Sequence, residues 1–132
     1  MSSDAEDFVA DVLADADQPL VIFSLEWCEF CWSVKKFFKQ AGIDFKTVDL
    51  DSVPFQEGNL GRSIRDVLEQ HTSMQTIPQV FIGGKFVGGC TDVFDGWKVG
   101  DIQAALKKNG VSYDAVFSKD PYSFLPEWLH PR

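Results

Sequence analysis

The sequence predicts an α/β fold: a mixed four-stranded sheet, parallel in its first half and closed by an antiparallel hairpin in its second, covered by helices. Three observations carry that expectation. The apolar run Leu20-Val21-Ile22-Phe23 gives way to Phe30, Val34, Phe37, Phe38 and Ala41 at helical spacing. Phe45-Lys46-Thr47-Val48-Asp49 then alternates like a strand with one buried face, and two strands joined through a helix pair in parallel. Further on, Gln79 to Ile82 and Lys85 to Gly88 flank Gly83-Gly84, a two-residue turn signal that folds its neighbours into a hairpin.

Each element has its own local reason. Ser3 or Asp4 caps a first helix whose apolar stripe is Phe8, Val9, Val12 and Leu13, and Gln18-Pro19 ends it. The strand Leu20 to Ser24 leads into Trp27-Cys28-Glu29-Phe30-Cys31, and the next helix runs to about Gln40 with Gly42 as its left-handed stop. Ile43 to Asp49 reads as the second strand. Ser52 to Gly61 holds a proline, two glycines and an asparagine and reads as a loop. A helix follows with Ile64, Val67, Leu68 and His71 on one stripe, while Arg62, Arg65, Asp66 and Glu69 flank or oppose it. After the hairpin, Thr91 or Asp92 caps a last helix that contacts the core through Ile102, Ala105 and Leu106 and stops at Asn109-Gly110. The order helix, β, α, β, α, β, β, α is the thioredoxin-like arrangement, and residues 1–110 complete it. Residues 111–132 form an extension in which Tyr113, Phe117, Tyr122, Phe124 and Trp128 alternate with Pro121, Pro126 and Pro131. It is too apolar to stay solvated and too proline-rich for a long helix, which leaves a strap over the same domain or a docking segment for another chain.

Composition narrows the function classes. In 132 residues there are twelve phenylalanines, enough apolar mass for one aromatic core. Twelve Lys and Arg against twenty Asp and Glu give a net charge of −8 with no basic cluster, so nucleic acid and anionic membranes are poor partners. No stretch reaches the roughly 20 apolar residues of a membrane span, and Met1-Ser2-Ser3-Asp4 lacks the basic start of a signal peptide. The chain reads as cytoplasmic, or as the mature form of an organelle protein after trimming. Three cysteines are too few for a disulfide scaffold, so a close Cys-x-x-Cys pair points to redox or metal chemistry.

Cys28 falls at a helix start, where unpaired backbone amides and the positive end of the dipole favour a thiolate, so its pKa should fall. Glu26 and Glu29 bracket it and oppose that charge, and Lys35 lies too far along the helix to offset them fully. Cys31, one turn on, can attack a mixed disulfide on Cys28 and release its partner. Thr76-Ile77-Pro78 supplies a proline at a strand entrance; if that bond is cis and faces the cysteines, the Ile77 backbone is free to pair with an extended thiol peptide. Gly88-Gly89 permits close approach of a ligand backbone, and the helix start at Thr91-Asp92 offers amides to a carboxylate while Asp92 can accept from an ammonium. Two blander readings stand beside these. The cysteine pair could be a zinc half-site completed by Cys90, His71 or His130, though no second pair exists. Cys90 itself reads as a buried small residue near the ligand site, open to regulatory oxidation.

Together, Trp27-Cys28-Glu29-Phe30-Cys31, Thr76-Ile77-Pro78-Gln79-Val80-Phe81-Ile82 and Gly88-Gly89-Cys90-Thr91-Asp92, in that order, resemble the glutaredoxin family over about Pro19 to Gly110. The resemblance implies a redox-active disulfide and a glutathione-dependent oxidoreductase acting on glutathionylated and disulfide-containing proteins, with Cys28 as nucleophile and Cys31 as resolving thiol. It implies a glutathione site at Trp27, Phe30, Arg65, Gln75, Thr76, Ile77, Pro78, Gly89, Cys90, Thr91 and Asp92, with Arg65 at the glycine carboxylate and Thr91 and Asp92 at the γ-glutamyl end. Two departures weaken the positive charge at that site: Leu25 stands where the family commonly has lysine, and Gln75 where a basic residue is frequent. Weaker glutathione affinity or slower turnover is the expected consequence. Glu29 stands where many dithiol members have proline, and members lacking that proline include several that resemble [2Fe–2S] carriers. The alternative reading is therefore a cluster carrier or redox sensor, a monomer when empty and a homodimer when Cys28 of two chains and two glutathiones ligate the cluster.

Overall fold

At the middle of the protein lies β1, Leu20–Ser24, with all five residues buried. The computed structural model describes residues 4–126. Beside β1 run β2 (Lys46–Asp49), parallel to it, and β3 (Gln79–Ile82), antiparallel; β4 (Lys85–Gly88) pairs outside β3. The sheet order is β2-β1-β3-β4. Helices cover both faces, which is why β1 is continuously apolar rather than alternating. One face carries α1 (Asp4–Ala14) and α3 (Leu60–Thr72), packed through Val9, Val12, Ile64, Val67 and Leu68 against Val21, Phe23 and Phe81. The other carries α2 (Glu29–Gln40), α4 (Cys90–Val99) and α5 (Asp101–Lys108), packed through Val34, Phe37, Phe38, Phe94, Trp97 and Leu106 against Leu20, Ile22 and Val80. The thioredoxin-like architecture is thus present as expected, with the hairpin turning at Gly83-Gly84 and its register shifting between Val80 and Phe81.

Several local expectations need correction. The second strand starts at Lys46, not Ile43, because the Ile43 N–H donates to the Phe38 carbonyl at 2.9 Å and closes the end of α2 instead of joining the sheet. Residues 52–59 are not featureless: two short 3-10 turns, Val53–Phe55 and Glu57–Asn59, lead into α3, which already includes Gly61. His71 is exposed, so the buried stripe of α3 ends at Leu68. The last helix is two helices, since Gly100 adopts φ +91° between α4 and α5. Asp4 lies inside α1 rather than capping it; Ser3, Trp128, His130 and Pro131 lie outside the described residues.

Beyond α5 the chain crosses the face made by α2 and α4. The Asp114 N–H donates to the Ala41 carbonyl at 2.8 Å, anchoring the segment at the end of α2. Phe117 and Phe124 then meet Phe37 with ring centroids 5.6 and 5.7 Å apart, and Tyr113 and Phe117 meet Trp97 at 5.7 and 6.0 Å. A 3-10 turn, Pro121–Phe124, is capped by Asp120, whose carboxylate accepts the Tyr122 N–H at 3.1 Å. The Tyr122 hydroxyl donates to Asp95 on α4, which raises the phenol pKa above its usual value. Edge-to-face aromatic contacts of this kind add roughly 0.5–1.5 kcal/mol each beyond burial, so rings reinforce the aliphatic packing on this face of the sheet.

Candidate active site

The end of β1 delivers the chain into Leu25-Glu26-Trp27 and then α2, and Cys28 is the N-cap of that helix with φ −147° and ψ 112°. A cysteine here takes the place of the usual Ser or Asp cap: its Sγ accepts the Cys31 N–H at 3.3 Å, one of the amides that a helix start leaves unpaired. The Cys28 thiol also faces the Ile77 carbonyl at 3.8 Å. The Ile77–Pro78 peptide is cis, and Ile77 sits before the first β1–β3 ladder pair, Phe23 with Gln79. Cys28 is half-buried, whereas Cys31 is fully buried. Burial, reinforced by its neighbour Cys28, pushes the Cys31 thiol far up, so it keeps its proton through the physiological range.

A groove of about 320 Å³ opens beside Cys28, lined by Phe30, Thr76, Ile77, Pro78, Gly89, Cys90, Thr91 and Asp92. Eight of the residues singled out in the sequence are thereby brought together on one wall and floor. Met74 joins them, and nothing in its sequence context marked it. Asp92 does not cap α4 from outside as expected; Gly89 is the N-cap and Asp92, in the first turn, reaches back to accept the Gly89 N–H at 2.9 Å. Thr91 is exposed on the groove rim. Cys90 is buried at the helix start, and desolvation, with the nearby Cys28 adding to it, pushes its thiol up to about 12. Arg65 and Gln75 form a separate corner of about 120 Å³ with Arg62, Asp66 and Glu69; the Arg65 guanidinium donates to the Gln75 carbonyl at 3.4 Å and the Gln75 amide to Glu69 at 2.8 Å. Trp27 lines neither cavity: it is 83% exposed, with its ring against Trp32.

Two supports were invisible in the sequence. Asp51, just after β2, accepts the Glu26 and Trp27 amides at 2.7 and 3.5 Å and so pins the turn ahead of Cys28. Beneath α2, Lys35 pairs with Asp49 at 2.8 Å, and Asp49 also accepts from Ser24 and Thr47. Burial alone would raise Asp49, but the Lys35, Ser24 and Thr47 contacts outweigh it and hold the carboxyl below its usual range. Lys35 is therefore occupied and gives the site little free positive charge. Among the described residues no three His, Cys, Asp or Glu side chains converge as a metal site, so the zinc half-site has no completion there.

A thioredoxin-like sheet, a cysteine pair at a helix start and a cis-proline facing it define a thiol–disulfide class of domain. Within that class the chain belongs to the glutaredoxin family: the family model for glutaredoxin matches residues 20–87. It is 40% identical over 103 residues to monothiol glutaredoxin-S10 of Oryza sativa subsp. japonica, covering 78% of this chain and 59% of that protein. It is 38% identical over 99 residues to the chloroplastic monothiol glutaredoxin-S12 of Arabidopsis thaliana, covering 72% and 53%. The chain thus spans less than two thirds of these curated relatives. Among solved structures, a buckwheat glutaredoxin–glutathione complex superposes with a TM-score of 0.71 at 37% identity, covering 80% of this chain and 90% of that one.

Proposed function

We propose that the protein is a glutathione-dependent thiol–disulfide oxidoreductase that reduces protein–glutathione mixed disulfides, and protein disulfides, through Cys28. The observation that carries this reading is the placement of Cys28 Sγ between the Cys31 amide and the Ile77 carbonyl, at the mouth of the groove. The related buckwheat structure, a complex with glutathione, supports glutathione as the occupant. In the first step the Cys28 thiolate attacks the glutathione sulfur of the mixed disulfide; that S–S bond breaks, Cys28–S–S–glutathione forms, and the protein thiolate leaves to take a proton from water. Amides at the start of α2 stabilise charge on Cys28 Sγ before attack and again when it leaves. A second glutathione thiolate then attacks the glutathione sulfur, releasing oxidised glutathione and the Cys28 thiolate. For protein disulfides Cys28 first attacks one sulfur and the other leaves as a thiolate; Cys31 then attacks Cys28 Sγ of that mixed disulfide, its proton passing to the protein thiolate that leaves, and two glutathiones reduce the resulting Cys28–Cys31 disulfide.

The cysteinyl backbone of glutathione pairs with Ile77, its γ-glutamyl end meets Thr91 and the start of α4, and its glycine carboxylate reaches Arg65. Asp92 keeps one carboxylate oxygen for the glutathione ammonium, because the other holds Gly89. With Lys35 committed to Asp49, Arg65 is the main cation for an anionic ligand, which favours modest glutathione affinity. A reducing compartment, cytosol or plastid, suits both thiols.

One chain does not fit a [2Fe–2S] cluster, which needs four ligands, because only Cys28 of the three cysteines reaches the surface. The cluster-carrier alternative therefore requires a second copy and glutathione. Cys28→Ser should abolish all glutathione-dependent reduction, whereas Cys31→Ser should keep turnover of glutathionylated substrates and lose that of protein disulfides. Equal loss of both activities in Cys31→Ser would overturn the assignment, and a coloured dimer after anaerobic reconstitution with iron, sulfide and glutathione would establish the carrier.

A further inference from the structure

Cys28 has two sides, and the groove occupies only one. In the order β2-β1-β3-β4, Cys28 follows β1; the groove is built on the β3 side, by Thr76 to Pro78 and the start of α4. On the β2 side stands a lip made of Trp27, Trp32, Glu26 and Asp51. Trp27 is 83% exposed and Trp32 46%, and their rings meet edge to face at 6.2 Å. This pair is not a loose surface feature. The Trp32 indole N–H donates to the Glu26 carbonyl at 2.7 Å, Asp51 holds the Glu26 and Trp27 amides, and Gln56 donates to the Asp51 carbonyl at 3.1 Å. Two large indoles kept in water by these four backbone and side-chain bonds are the arrangement found at binding hot spots, where rigid aromatics lose little entropy on contact.

The charge beside them has one sign. Glu26 and Glu29 are exposed on either side of Trp27 and Cys28, and Asp51 adds a third carboxylate. Of the cations on α2, Lys35 is paired with Asp49, Lys36 lies one turn beyond Trp32, away from Cys28, and Lys39 stands in the last turn at the far end of the helix. Indole faces next to carboxylates recognise Lys and Arg side chains, by cation–π attraction and by charge.

From this placement we infer that the Trp27–Trp32 lip with Glu26 and Asp51 docks the protein half of the substrate, and that it selects cysteines flanked by lysine or arginine. The inference rests on the oxidoreductase reading for its chemistry but not for its binding. Glutathione lies in the groove, so the polypeptide bearing the modified cysteine leaves Cys28 toward the lip.

The test uses two peptides of one scaffold, each with a single glutathionylated cysteine, flanked by Lys and Arg in one and by Glu in the other. Their serine counterparts, which cannot react, measure binding through Trp fluorescence. The full chain should prefer the basic peptide by about fivefold or more in kcat/KM and in affinity, a preference that shrinks as ionic strength rises from about 0.05 to about 0.3 M. Glu26→Lys with Trp32→Leu should bring both ratios near one; a ratio cancels any change these substitutions make to Cys28 itself. Equal binding of the two serine peptides overturns the lip, whatever the turnover. A basic preference that survives the substitutions also overturns it, as does Trp fluorescence that reports self-association on dilution, since a second copy would then cover the lip. If binding prefers the basic serine peptide while neither glutathionylated peptide turns over, the docking surface stands and the oxidoreductase reading falls.

Discussion

Gly88→Ala should unseat one wall of the groove from a position outside its lining. Gly88 ends β4 at a register shift in its pairing with β3, with φ +134°, where side chains are rarely tolerated. A Cβ there would lie 2.3 Å from the Asp92 Oδ2 and 2.6 Å from its Cβ and Cγ. Asp92 must therefore swing away and give up the Gly89 N–H. Backbone strain of about 1–3 kcal/mol and a lost cap of about 1 kcal/mol sum to roughly 2–4 kcal/mol. For a domain of this size, at about 3–5 °C per kcal/mol, the melting temperature should drop by roughly 6–20 °C. Because Gly89 to Asp92 line the groove, KM for glutathione should rise about tenfold, with kcat at saturation changed much less. Thermal melts and steady-state kinetics of Gly88→Ala, Asp92→Ala and the double variant measure both effects. If Gly88 acts through Asp92, the double variant is less than additive. A melting temperature within about 2 °C of the wild type, or full additivity, would refute this account.

Iodoacetamide near pH 8 should label Cys28 and spare Cys31 and Cys90, whose thiols are buried and shifted upward; mass spectrometry should find all three labelled only after unfolding, and native labelling of Cys90 at the rate of Cys28 would contradict the burial described. The Asp49 carboxyl is held below its unfolded value, so its contribution to stability is present above about pH 4 and is lost as pH falls through that value toward the folded one. The stability gap between the wild type and Asp49→Asn in urea should accordingly be widest near neutrality and close below about pH 4, and a gap that stays constant down to about pH 3 would remove Asp49 from the support of α2.

Short-range patterns made much of the fold legible. The apolar run of β1, the helical spacing after Cys28 and the Gly83-Gly84 turn are local signals, and the structure places those elements where they point. What escaped was set by contacts between distant segments. Ile43 looks like strand but is spent closing α2, and Gly100 looks like one more helix residue but splits α4 from α5. At the site, the groove residues come from motifs of fixed spacing, so their convergence could be anticipated. Asp51 and the Asp49–Lys35 pair could not, because they depend on the register that sets Ser24 opposite Asp49 across parallel strands. The place of Trp27 outside the lining of the groove was not legible for a related reason: adjacency to Cys28 in sequence does not say which way the indole falls.

The aromatic segment after α5 has a practical meaning for how the chain is handled. The match to the family ends at residue 87, before the helix that carries Thr91 and Asp92, and well before Phe117, Phe124 and Leu125. Phe37, midway along the helix that presents Cys28, touches rings from both Phe117 and Phe124. A fragment trimmed to the family's borders would strip those rings from Phe37, so a version running through Leu125 should melt higher than one ending at residue 110.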